Sequence, residues 1–104
     1  MKKVITLFCA MGMSTSLMVS RMKEEAEKQN FECEIEAYPY SDSPKLAPLA
    51  DVIFLGPQVR FYLKELQGKY PDKIIETIDM KIYGRYDGAA LMKRALELIG
   101  EEHE

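Results

Sequence analysis

The stretch "TLFCAMGMSTSLMV", Thr6 to Val19, decides the fold. Up to Phe8 it is a run of bulky apolar and β-branched residues, the pattern of a strand covered on both faces. From Ser14 onward it begins an amphipathic helix. Between the two lie Cys9, Ala10, Met11, Gly12 and Met13. A buried strand that hands over to a helix through a short loop is the start of a β-α-β unit, and the rest of the chain repeats the alternation.

Three more strands follow. "ECEIEAY" (Glu32–Tyr38) alternates strictly, with Cys33, Ile35 and Ala37 on one side and Glu32, Glu34 and Glu36 on the other; it reads as a half-exposed edge strand. "DVIFLG" (Asp51–Gly56) and "KIIETID" (Lys73–Asp79) complete the set. Helical spacing covers Ser14–Gln29, with Met18, Met22 and Ala26 on one stripe and Thr15 and Val19 beside it. It covers Gln58–Tyr70 through Val59, Tyr62, Leu63, Leu66 and Tyr70, and Asp87–Gly100 through Leu91, Met92, Ala95, Leu98 and Ile99, with Gly100 as the expected stop. "SDSPKLAPLA" (Ser41–Ala50) is expected to hold one short helical turn, and "EEHE" reads as a frayed acidic tail. The expected fold is a single three-layer α/β domain over residues 1–104. Its four-stranded parallel sheet has order 2-1-3-4, with helices on both faces.

Composition narrows the function. The chain of 104 residues is 47% hydrophobic and 30% charged, enough for both a core and a solvated surface. No apolar run approaches the ~18 residues that span a bilayer. "MKKVITLF" suits a first strand better than a signal peptide, because no small-residue cleavage site follows it. A cytoplasmic protein without membrane insertion is the expectation. The net charge of −3 gives no electrostatic reason to expect nucleic acid. Cys9 and Cys33 form neither a disulfide framework nor a close pair suited to a metal, so neither metal nor cofactor is expected.

Ligands of such sheets bind beyond the carboxyl ends of the strands, where the strand order reverses. In the order 2-1-3-4 the loops after Phe8 and Leu55 meet there, and the end of the last strand, at Asp79, could join the same rim. A thiol works as a nucleophile only as the thiolate, and helix-start amides favour that anion. They also suit a phosphate carried on the sulfur. Gly12 gives the loop conformational freedom, and the Ser14, Thr15 and Ser16 hydroxyls can cap the helix or donate to phosphate oxygens. Buried cysteines and hydroxyl caps are also ordinary structural features, and the residues alone leave both readings open.

The motifs exclude nearby alternatives. No Gly-Lys-Ser/Thr ending makes a nucleotide P-loop, and Gly12 stands alone where a dinucleotide fingerprint needs three glycines. Small tyrosine phosphatases place an arginine six positions after the loop cysteine; Thr15 stands there, followed by Ser16. Without that bidentate donor the attack of water on phosphate is poorly stabilised. The loop is suited to hold phosphate on sulfur rather than to hydrolyse it, which describes a carrier.

At this point "LFCAMGMSTSLMV" (Leu7–Val19), "ADVIFLGPQV" (Ala50–Val59) and "IDMKIYGRYDG" (Ile78–Gly88) resemble one family. It comprises the IIB components of the bacterial phosphoenolpyruvate-dependent sugar phosphotransferase system, lactose/cellobiose (chitobiose) type. The resemblance implies a fold similar to small tyrosine phosphatases. It implies a phosphotransferase whose Cys9 takes a phosphoryl group from a phosphohistidine of the IIA protein and passes it to a sugar held by the membrane transporter IIC. The phosphate-binding loop would be Ala10, Met11, Gly12, Met13, Ser14, Thr15 and Ser16; Met11 stands where Ala is commoner in the family. The single histidine, His103 in the tail, is consistent with a donor histidine on another protein. The resemblance leaves the sugar open among lactose, cellobiose, chitobiose and other β-glucosides.

Secondary expectations complete the reading. Met11 and Met13 either form an adaptable rim for partners or tuck into the core. Gln58 either reaches the phosphate or starts its helix. Tyr83 and Asp87 either join the rim or belong to a turn built on Gly84 and Gly88. Cys33 is packing, and Arg21, Arg60 and Arg85 are surface charges. A phosphatase-like enzyme and a non-catalytic regulatory module are the alternatives to a carrier.

Overall fold

A computed structural model describes residues 2–10 and 15–103. The elements run β1 (Lys3–Cys9), α1 (Ser16–Lys28), β2 (Cys33–Pro39), α2 (Ser43–Leu46), β3 (Val52–Leu55), α3 (Leu63–Lys69), β4 (Ile74–Thr77), α4 (Met80–Gly84) and α5 (Gly88–His103). Short 3-10 turns at Tyr40–Asp42 and Ala47–Leu49 flank α2, and a longer one at Pro57–Tyr62 precedes α3. The four strands form one parallel sheet in the order β2-β1-β3-β4.

Strand alternation divides the core into two layers. Ile5 and Leu7 of β1 and Val52 and Phe54 of β3 pack with Met18, Val19 and Met22 of α1 and Leu91, Met92 and Ala95 of α5. Phe8, Ile53, Leu55 and Ile75 point the other way, onto Ala47, Val59 and Leu66. Every position of the α1 and α5 stripes read from helical spacing is buried: Met18, Val19, Met22, Ala26, Leu91, Met92, Ala95, Leu98 and Ile99.

Helix ends explain the boundaries. The amide of Phe31 bonds the carbonyl of Ala26 and that of Asn30 bonds Glu27, with Asn30 at φ 54°; this paired closure ends α1 at Lys28. The same closure ends α4, through Asp87 to Ile82 and Tyr86 to Tyr83, with Tyr86 at φ 51°. The Arg21 guanidinium donates to the Tyr86 carbonyl at 2.9 Å, tying this turn to α1.

Four expectations are corrected. The Gln58–Tyr70 helix begins as a 3-10 turn with Val59 out of helical geometry (φ −121°), and regular α3 starts only at Leu63. The Ser41–Ala50 connection holds three short turns in succession rather than one. Met80–Gly84 forms an additional helix, α4, whose cap is Asp79, its carboxylate accepting from the amides of Lys81 and Ile82. Finally, α5 passes through Gly100 to His103, so Gly100 is no stop and the tail is helical to that point.

Candidate functional site

Cys9 is the last residue of β1 and shares the sheet face of Ile5 and Leu7, beneath α1. Its Sγ lies 3.4 Å from Oγ1 of Thr15, the residue that caps α1, and 3.8 Å from the carbonyl oxygen of Tyr38. The thiol is 1% exposed and Thr15 0%. A sulfur at this place sits at the positive end of a 13-residue helix, where unpaired amides favour anionic charge.

The neighbouring strand completes the surroundings. The amide of Gly56 donates to the carbonyl of Phe8 at 2.8 Å, so the ends of β1 and β3 are clasped together. A Cβ at Gly56 would lie 3.5 Å from Cys9 Cβ, 3.5 Å from the Phe8 oxygen and 3.3 Å from Gln58 Oε1. Glycine therefore lets the two loops meet closely. The Gln58 amide lies over that junction, while its backbone belongs to the 3-10 turn. Gln58 thus belongs to its helical segment, with its side-chain oxygen beside Gly56.

The other sequence-derived residues fall as follows. Ala10 and Ser16 are exposed, on either side of the loop. Met11, Gly12, Met13 and Ser14 lie outside the described residues. Asp87 caps α5, its Oδ1 accepting from the Ala90 amide at 3.0 Å. Tyr83 is half-buried against the α1/α5 core layer, its ring 6.4 Å from that of Tyr86. Gly84 has open space around it, but a Cβ at Gly88 would meet Arg21 Cβ at 2.4 Å and the Met22 amide nitrogen at 2.7 Å. Gly88 thus serves the close approach of α5 to α1, a role the sequence did not disclose. Arg60 donates to the Pro57 carbonyl at 2.8 Å.

Phosphate hydrolysis lacks its usual instrument at this site: the position six residues after Cys9 holds a fully buried threonine, not a guanidinium. Among the described residues no group of three or more His, Cys, Asp or Glu is placed to hold a metal ion. A groove of about 810 Å³ follows β2 and the C-terminal half of α1, and Cys9 is not among its lining residues.

A family model for the PTS system, lactose/cellobiose specific IIB subunit, matches residues 4–94. The chain belongs to that family. The oligo-beta-mannoside-specific EIIB component of Bacillus subtilis (strain 168) is 41% identical over 102 residues, covering 95% of this chain and 97% of the relative. The galactose-specific EIIB component of Lactococcus lactis subsp. cremoris (strain MG1363) is 36% identical over 104 residues, covering 93% and 96%. The solution structure of a cellobiose-specific IIB component from Borrelia burgdorferi superposes with a TM-score of 0.76 at 32% identity, covering 93% of this chain and 91% of that one. The lactose-specific IIB domain from Streptococcus pneumoniae shares the fold, with a TM-score of 0.84 at 18% identity, covering 93% and 97%.

As a IIB component the protein is a phosphoryl carrier of a sugar phosphotransferase system. IIB components in general work with IIA and IIC partners and a sugar. Among the described residues no helix is long and apolar enough to cross a membrane.

Proposed function

We propose that Cys9 carries the phosphoryl group. It receives the group from a phosphohistidine of a IIA protein and delivers it to a sugar held by a membrane IIC transporter. The observation that carries this reading is the place of the sulfur, at the carboxyl end of β1 and under the start of α1. An anion formed there is stabilised by the helix start, whether it is a thiolate or a phosphate on sulfur. The backbone amides of Ala10 and Ser16, on either side of the loop, are donors for the equatorial oxygens. Transfer of a phosphoryl group needs such positioning and charge stabilisation more than it needs covalent help.

The sugar is a β-glucoside or a disaccharide, a reading supported by the relative named for cellobiose; others are named for oligo-beta-mannoside and galactose. Residues 1–104 act as one cytoplasmic domain. The reading is tested by reconstituting sugar phosphorylation with phosphorylated IIA, IIC membranes and this chain. Sugar phosphate forms with the wild-type chain and not with Cys9→Ser; formation at the wild-type rate with that variant would contradict the assignment.

A further inference from the structure

We propose that Thr15 is a positioning residue for the reactive sulfur: its buried hydroxyl donates to Cys9 Sγ and holds it whenever the sulfur has no proton. The role rests on Cys9 being the phosphoryl carrier, but it assigns the hydroxyl to the sulfur rather than to phosphate oxygens.

Three observations carry it. First, Thr15 occupies the cap position of α1, where a threonine oxygen ordinarily accepts from a first-turn amide. Here it makes no such bond, and its Oγ1 lies 3.4 Å from Sγ instead. Second, both residues are buried, at 0% and 1% exposure, where a hydrogen bond is stronger than in water. Third, the Tyr38 carbonyl, 3.8 Å from the sulfur, can only accept. A protonated thiol gives its hydrogen to Tyr38 and receives one from Thr15. After the proton leaves, the carbonyl faces the sulfur lone pairs and repels them, while the Thr15 hydroxyl still donates.

The bookkeeping of the step is simple. The thiol proton goes to bulk water before attack. A sulfur lone pair then forms the S–P bond as the N–P bond of the donor breaks, its electron pair staying on the imidazole nitrogen. Thr15 keeps its proton and forms no covalent bond. It fixes the sulfur between the thiolate and phosphocysteine states.

The test compares Thr15→Val, which keeps the shape and loses the hydroxyl, with Thr15→Ser, which keeps the hydroxyl and loses the methyl. Both are made with Cys33→Ser so that iodoacetamide reports only Cys9. The expected result is that Val slows alkylation at neutral pH and slows phosphoryl uptake at saturating donor, each about tenfold or more, as for a lost hydrogen bond to a charged group. The donor concentration at half saturation stays unchanged, and Ser restores both rates to within about twofold. A Val variant within twofold of wild type, or a Ser variant as slow as Val, overturns the role. Because a buried substitution can disturb folding, NMR of the unmutated protein gives an independent measure. A Thr15 hydroxyl proton with a cross-peak to the Cys9 β-protons is expected, and its absence contradicts the proposal. Alkylation needs no phosphoryl donor. A wild-type chain that takes up no phosphoryl group would therefore sink the carrier reading, and the alkylation rates would still decide Thr15.

Discussion

Cys9 and Cys33 are the same residue type on neighbouring parallel strands, and both face α1. They sit at opposite ends of the sheet: Cys9 closes β1 at the carboxyl end, and Cys33 opens β2 at the amino end. The same helix passes over both. Its start lies at Cys9, and its end, through Ala26, Asn30 and Phe31, lines the groove beside Cys33. The amino end of α1 lies at the first thiol and its carboxyl end near the second, so two identical side chains sit at opposite ends of one helix dipole. Burial raises the Cys33 thiol above the ordinary cysteine range, and Lys2 opposes the rise. Position along the strand, not residue type, separates a group suited to carry an anion from one that packs.

The largest test of that contrast is exchange of the second thiol. Cys33→Ser is expected to leave phosphoryl uptake within about twofold of wild type, since one polar atom of similar size replaces another at a half-buried edge position. A loss approaching that of Cys9→Ser would erase the distinction between the two cysteines.

Next comes the clamp that holds α1 in place. Gly88→Ala puts a methyl against Arg21 Cβ and the Met22 amide nitrogen, both closer than 3 Å. Backbone cannot rotate aside, so the cost should be about 2–3 kcal/mol of stability, measured by urea unfolding. Phosphoryl uptake should slow as well, because α1 must shift over Cys9; unchanged stability would show that α5 does not hold α1 as described.

A smaller effect is expected at Asp87. Loss of its cap in Asp87→Ala should cost about 1 kcal/mol. Uptake should stay at the wild-type rate, and a marked fall in rate would return this residue to the rim of the site.

The smallest concerns pH and sharpens the picture of Cys33. Its raised folded-state value means that the unfolded chain releases this proton first as pH rises. The unfolded state then binds fewer protons, and stability falls with pH above the ordinary cysteine range. Alkylation of Cys33 in a Cys9→Ser background should reach its half-maximal rate at a higher pH than a short unstructured cysteine peptide. Equal midpoints would contradict the burial effect.

Much of this contrast was legible in the residues. "KVITLFC" and "VIFL" lack alternation because both faces of those strands are covered, and "ECEIEA" alternates because β2 is an edge. The parallel sheet followed from the β-α alternation, and the place of Cys9 at a strand end from the first strand-to-helix junction. Helix ends and tertiary contacts were less visible. Asp79 was read as the end of a strand, yet an aspartate ahead of "MKIYG" is a cap signal for the short helix α4. Gly88 and Gly84 look alike in sequence; only the approach of α5 to α1 distinguishes the crowded one from the open one. Gly100 is no stop because a glycine inside a helix costs only about 1 kcal/mol, and α5 continues to His103. The Thr15 contact depends on how the loop returns to β1, which no local pattern encodes.

The central claim is that the strand-end sulfur under α1, and no other group, bears the phosphoryl. Its most direct test is peptide mapping by mass spectrometry after the chain is incubated with a phosphorylated IIA partner. The account predicts a single added phosphoryl group on the peptide containing Cys9. A phosphoryl group on the Cys33 peptide or on His103, or retained uptake by Cys9→Ser, would contradict it.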